Sequence, residues 1–510
     1  MTQNCVINVD LADVFADPKR KEYLTTLAWG DFVEVVETTS SHLVVNTVKY
    51  QKKKDGSILP VKTRAFISPP KASRLKPADV VIPQENNPVL KVNFVDVQQG
   101  DGVVIESPDG KIILVDGGDN QMFARYLAAR FRETSVTKPK SIDCILVTHG
   151  DADHFMGLTE IFKSETNANP KKQLFIAPKR VYHNGLVKRP GKDKSGKNIP
   201  DKKLFGATKV VDGETIITEL EDNLLNVPDE KMNEPFRDWK KALNVWNGRV
   251  PIEFRRLSFG QDAAFSFFNI GDMEISVLGP ILTQKGDVSG LKFLGEPPKG
   301  PRIGHEVLAL GDKEFKGFSA SHTINGHSIV FRLRYGSFSY LFCGDLNDEA
   351  GRILATKHGE GSINLRSEVF KVPHHGSADF SGGFVQAVSP IVNVVSSGDE
   401  SAKKEYIHPR ATLMGALGRF SRIDEPLVFV SELVAFFNTE DWAHLSDPKK
   451  DKKRGEFFGF SRTAYGVVKT RTNGKRLLVY TDSGKADMKE AYCYALDANS
   501  MLVPTGVIRV

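Results

Sequence analysis

The chain has 510 residues, 40% of them hydrophobic and 26% charged, with a net charge of +6; this excludes a fibrous or disordered chain and gives room for two to four domains. Its four cysteines (Cys5, Cys144, Cys343, Cys493) are widely separated, which excludes a disulfide framework and a thiolate zinc site. No apolar run approaches the ~18–20 residues of a bilayer span and Met1 to Cys5 lack a secretory pattern, so a cytoplasmic protein without a membrane partner is expected.

Residues 1–70 carry short alternating strands, at 32–37, 42–48 and 63–67, between Gly, Ser and Lys-Asp-Gly turns. That pattern predicts a small SH3-like β-barrel, a possible seat for a protein partner. Pro69, Pro70, Pro77, Pro83 and Pro88 mark 71–89 as a linker. The main domain, 90–490, opens with strands at 92–97, 102–106 and 111–115, the last running into Asp116. Met122, Phe123, Tyr126, Leu127 and Phe131 recur at helical spacing. An apolar strand ending at Val147 precedes a polar loop and a short helix from about Gly157 to Ser164.

Between about 170 and 270 periodicity is weak, which reads as an insertion or lid. Trp239, Trp246, Phe254 and Phe265 to Phe268 are expected to form its own small core. Strands resume at 274–280. Ile329, Phe331 and Leu333 share one face, and Phe338, Tyr340 and Phe342 return from a Gly336-Ser337 turn, as in a hairpin. Further apolar strands end at Val372 and Ser396. Those at 466–469 and 476–480 are expected to close a second sheet, leaving 491–510 as a C-terminal strand or tail.

Two stretches are basic. Lys188, Arg189, Lys192, Lys194, Lys197, Lys202 and Lys203 against Asp193 and Asp201 give seven minus two, or +5. Lys449, Lys450, Lys452, Lys453 and Arg454 against Asp451 give five minus one, or +4. Either is a solvated loop or an arm for a polyanion.

The loop after Val147 reads Thr148-His149-Gly150-Asp151-Ala152-Asp153-His154. Four ligand-type side chains within six positions are costly to bury without a cation. Imidazole suits zinc, and carboxylate also suits manganese. Asp116, Asp345, His374, His375 and His408 likewise follow apolar strands, so the strand ends converge on one site.

With these motifs in view, the chain resembles the metallo-β-lactamase superfamily. Within it, the chain is similar to the soluble hydrolase domain of ComEC-type bacterial competence proteins. The resemblance rests on Phe94 to Asp101, Leu114 to Gly118, Thr148 to Gly157, Leu341 to Asp345 and Phe370 to Ser377. It covers about 90–165 and 270–485. The usual His-x-His-x-Asp-His core motif departs here in one place, where Asp151 stands for the second histidine.

The resemblance implies an α/β fold, an αββα sandwich following the N-terminal barrel, and two divalent metal ions (Zn or Mn). By motif, His149 and Asp151 hold one ion, Asp153 and His154 the other, Asp345 bridges them, and His408 closes the Asp153 side. Asp116 supports the metal loop. The third ligand on the His149 side is left between His327 and His374, either of which is otherwise a hydrogen-bonding residue of the pocket. His375 is assigned to substrate or supporting work, with ligation as the alternative, and stands with Asp153 and Asp345 among the catalytic residues. Lys188, Arg189 and Ser377 are taken as substrate contacts.

Two such ions would share a hydroxide as nucleophile, so hydrolysis is expected. The carboxylate of Asp151 in place of an imidazole moves the preference from zinc towards manganese. A nuclease or phosphodiesterase acting on nucleic acid or another phosphodiester is the first reading. The alternatives are hydrolysis of a small non-nucleic substrate (a cyclic nucleotide, phosphorylcholine ester or lactam) and a metal-stabilised binding or regulatory protein.

Overall fold

Strands Ile112–Val115 and Cys144–Leu146 show why much of the chain reads as unbroken apolar runs: both faces of their sheet are covered. Ile113, Val115, Cys144 and Leu146 face a core shared with a second sheet, whereas Ile112, Leu114 and Ile145 face helices. The computed structural model describes residues 2–70, 73–296, 315, 317–398, 408–434, 436–443, 457–464, 466–482, 490–496 and 502–509. The basic stretch at 449–454 lies outside them.

The first sheet has ten strands, from Glu253–Arg256 at one edge through Arg180–His183, Cys144–Leu146, Ile112–Val115, Val103–Glu106 and Leu90–Val95 to four C-terminal strands. The second has six, Met273–Gly279, Val330–Tyr335, Phe338–Phe342, Val369–Lys371, Val392–Val395 and Leu427–Val430. Phe94, Ile105 and Tyr182 of one meet Ile275, Phe331 and Phe342 of the other in the central core. Helices Met122–Arg130, Ala152–Ser164 and Glu234–Arg249 cover the first sheet, and Asp348–Gly359, Gly382–Val388 and Ala411–Arg419 the second. The layers therefore run helix, sheet, sheet, helix. The expected hairpin is present, with Phe331 opposite Phe342 and Leu333 opposite Tyr340.

Several expectations need correction. Val467–Thr472 pairs antiparallel with Leu90–Val95, so the late strands extend the first sheet and do not close the second. Glu490–Leu496 and Leu502–Arg509 continue it. The 170–270 segment is no separate insertion throughout, since Arg180–His183 and Glu253–Arg256 are parallel members of that sheet. The aromatics expected to build its own core do not; a small separate cluster there is formed by Leu186, Phe205 and Ile217 with Leu291 and Phe293. Phe236, Trp239, Leu243 and Trp246, on one face of a helix capped by Asn233, pack under the first sheet, while Phe265 and Phe268 enter the central core.

The N-terminal module is an antiparallel sheet of seven strands in the order Tyr23–Ala28, Leu11–Phe15, Ile58–Ile67, Leu43–Lys52, Phe32–Thr38, Gln3–Ile7, Val81–Pro83. No pairing among the described residues joins its two ends, so the expected barrel is not seen. The last strand comes from the proline-rich stretch. Leu11, Ala28, Trp29 and Val89 pack on Leu478, Tyr480, Ala491 and Cys493 of the main sheet. Fully buried Arg471 reaches across to Asp31 at 3.1 Å, and Lys91 donates to the Gly30 carbonyl at 3.0 Å.

Candidate metal centre

The parallel strands of both sheets end at one edge, and their next residues form the centre. Asp116 follows Ile112–Val115, His149 follows Cys144–Leu146, Asp345 follows Phe338–Phe342, and His374 and His375 follow Val369–Lys371. The helix after the His149 loop begins at Ala152, not near Gly157, with Asp151 at its N-terminal boundary and Asp153 and His154 in its first turn. A rigid helix therefore aims both side chains, and acidic groups there are favoured by the helix dipole.

Asp153, His154, Asp345 and His375 each offer a ligand atom, all within 4.8 Å of one another. Asp345 is the hub. One of its oxygens lies 3.2 Å from His154 Nε2, and the other lies 3.3 Å from His375 Nε2, 3.9 Å from His374 Nε2 and 4.0 Å from His149 Nε2. His375 Nε2 is also 3.6 Å from Asp153. Thus His375 faces Asp153 on the side where His408 was expected. His408 stands beside His374, ring centroids 6.1 Å apart, and burial and then His374 push its pKa down to about 4.

Behind the ligand atoms lies a layer of hydrogen bonds. Asp116, fully buried, faces His154 Nδ1 at 2.9 Å and accepts from the Thr148 N–H at 2.8 Å and the Thr148 hydroxyl at 2.7 Å. That fixes which His154 nitrogen looks inward. On the other flank His375 Nδ1 donates to the Ser396 carbonyl at 3.1 Å, with Asp101 at 3.5 Å. Asp101 is itself held by buried Lys371 at 2.5 Å. Gln99 donates to Asp153 at 2.9 Å. The Ser328 hydroxyl accepts from the Asp345 N–H at 3.0 Å and lies 3.3 Å from His149 Nδ1.

The electrostatics follow from this packing. Burial opposes charge on His154, yet Asp345 and Asp116 hold its pKa well above the ordinary value. Burial likewise opposes charge on His375, and Asp345 with Asp101 and Asp153 raises it well above. Burial penalises the Asp345 carboxylate, but His375, His154 and His374 hold it well below its usual range. His149 goes the other way, to about 3, through burial and the neighbouring His154. Positive charge is thus wanted between these carboxylates.

Do the residues fit a divalent cation? Nε2 of His149, His154 and His375 and one oxygen of Asp345 are buried with no well-aligned hydrogen-bond partner. Buried polar atoms without partners are rare, and here four converge. Two imidazoles and two carboxylates are a donor set that zinc or manganese accepts. The set fits.

Other expected site residues fall differently. His374 reaches the centre on the His149 side, and Asn325 Nδ2 lies 3.4 Å from its Nε2. His327 does not reach it: its ring donates to the Lys292 carbonyl at 2.7 Å, and burial pushes its pKa down to about 4. Asp151 pairs with Lys188 at 2.8 Å. Arg189 is engaged by Glu219 at 2.7 Å. Ser377 is buried, and its hydroxyl accepts from the Asp379 N–H at 3.1 Å, which shapes the turn after His375. The supporting roles of Asp101, Lys371, Gln99 and Ser328 were missed, although all four lie in or beside the motifs.

Fold and site together define a class: two-sheet sandwiches with a histidine and aspartate metal centre at the strand ends. Residues 95–214 match the model of the metallo-beta-lactamase superfamily, and the chain carries a domain of that superfamily, which implies a metal-dependent hydrolase. No curated protein matches the chain. Among the described residues no helix is long and apolar enough to cross a membrane.

Proposed function

We propose that this protein is a metal-dependent phosphodiesterase acting on nucleic acid, a nuclease related in chemistry to the hydrolase domain of ComEC-type competence proteins. It would use two divalent ions, manganese at least as well as zinc. Asp153, His154, Asp345 and His375 would hold one ion, and His149, Asp151 and His374 the second. Such ions, when bound, lower the pKa of water from ~15.7 towards ~7 and stabilise charge building on a phosphoryl oxygen. Asp116 behind His154, and the Ser396 carbonyl with Asp101 behind His375, favour the tautomers whose Nε2 lone pair faces inward. The Lys188 ammonium, beside Asp151, would meet an anionic substrate oxygen.

One observation carries the choice of a polyanion. Lys192, Lys194, Lys197, Lys202 and Lys203 are exposed on a segment pinned at both ends beside the centre. At one end Lys188 pairs with Asp151, and at the other Asp201 accepts from the Ala320 N–H at 2.8 Å, on the short helix that carries Asn325. A basic arm fixed next to the reacting centre suits a long phosphodiester better than a small ester. The test is turnover of labelled single- and double-stranded DNA and RNA beside a chromogenic phosphodiester and a lactam, each with manganese and with zinc. Metal-dependent cleavage of a nucleic acid is expected; cleavage of the small substrates alone would refute the reading.

A further inference from the structure

We propose that Lys188 is a built-in counter-cation for the His149 half of the centre, which makes the two metal positions unequal: one tight, and one weakened by the ammonium. This rests on the metal-centre reading above. On the Asp153 side four donors already converge within 4.8 Å. On the His149 side two imidazoles, His149 and His374, stand about equally far from Asp345, at 4.0 and 3.9 Å. The remaining donor, Asp151, is turned to Lys188 at 2.8 Å.

Exposed ion pairs of this kind are often incidental. Here both partners are largely buried, with side chains 29% and 21% exposed. Lys188 is also held from behind. Leu186 and Val187 before it are buried, and its carbonyl accepts from the Asn233 N–H at 2.9 Å. Its stem is therefore directed at Asp151 by the fold. An ammonium and a divalent ion compete for one carboxylate, and the charge of one raises the cost of placing the other. The Asp153 position meets no such competitor: among the described residues no lysine or arginine pairs with Asp153, and Lys371 nearby is spent on Asp101.

The experiment uses the full chain, stripped with a chelator and titrated with manganese alone, free Mn(II) being read by electron paramagnetic resonance. Wild type, Lys188→Met, Lys188→Gln and a control, exposed Lys192→Met, are compared, with circular dichroism confirming that each is folded. Two neutral variants keep the test open if one misfolds. Wild type should bind one ion tightly and a second at least about tenfold more weakly, on the scale of effects that neighbours of metal ligands have. Either Lys188 variant should tighten the second site by about tenfold and leave the first unchanged, with Lys192→Met like wild type. Two sites of equal affinity in wild type, or Lys188 variants with unchanged sites, would overturn the proposal while leaving the metal centre standing. Absence of manganese binding in every protein, wild type included, would overturn the centre itself.

Discussion

Removing charge from the arm at 191–203 tests substrate class with a magnitude that can be worked out in advance. Lys192, Lys194 and Lys197 are exposed and have no acidic partner within ion-pair distance among the described residues, so each is available to one phosphate. Each phosphate contact to a duplex contributes about 0.9 to the slope of log affinity against log salt, so replacing all three by serine should flatten that slope by about 2.7. Between 50 and 200 mM salt, a fourfold change, wild type should lose about 40-fold more affinity than the variant. The assay is fluorescence anisotropy of a labelled duplex, with Asp345→Asn in both proteins to prevent cleavage. Hydrolysis of a chromogenic phosphodiester by the triple variant with native Asp345 should be unchanged. An unaltered salt slope would refute the assignment of the arm to nucleic acid.

Three further outcomes follow from the packing. Asp116→Ala removes the acceptor behind His154 and should weaken metal affinity by about 10–100-fold, read by competition with a chromophoric chelator. Asp101→Ala strands the buried Lys371 ammonium and should cost about 3–5 kcal/mol of stability in denaturant unfolding, with His375 loosened as a ligand. Gly100 has φ +97°, and a β-carbon there would stand 1.7 Å from the Asp153 carbonyl oxygen, so Gly100→Ala should displace the metal loop and abolish metal retention. A normally metallated Gly100→Ala protein would show that the close approach is not needed.

The centre was legible in part because the local chemistry is dense. His149, Asp153 and His154 sit in one loop after one apolar strand, and Asp345 ends another, so periodicity and residue type sufficed. What stayed hidden depends on direction. His374 and His375 are adjacent, and both take left-handed backbone angles, φ +50° and +52°. Nothing in the sequence of that pair says which ring turns toward Asp153, so His375 was left between a supporting role and ligation. Asp151 and Lys188 are 37 positions apart, and their pairing depends on how the segment after Arg180–His183 folds back. The 170–270 segment was misjudged because its two strands in the first sheet are only four residues long and offer few apolar positions, Arg180 and three of the four residues Glu253–Arg256 being charged. Helical spacing of Phe236, Trp239, Leu243 and Trp246 was the signal that could have tied it to the core. The N-terminal strands were visible by alternation, but whether a sheet closes depends on the pairing of its edges, which alternation does not encode.

The central claim is that Asp153, His154, Asp345 and His375 surround a divalent cation. Anomalous diffraction from crystals grown with manganese tests it most directly. A strong peak enclosed by those four side chains and bonded to Nε2 of both histidines is expected. A peak elsewhere, or no ordered manganese at the strand ends, would contradict it.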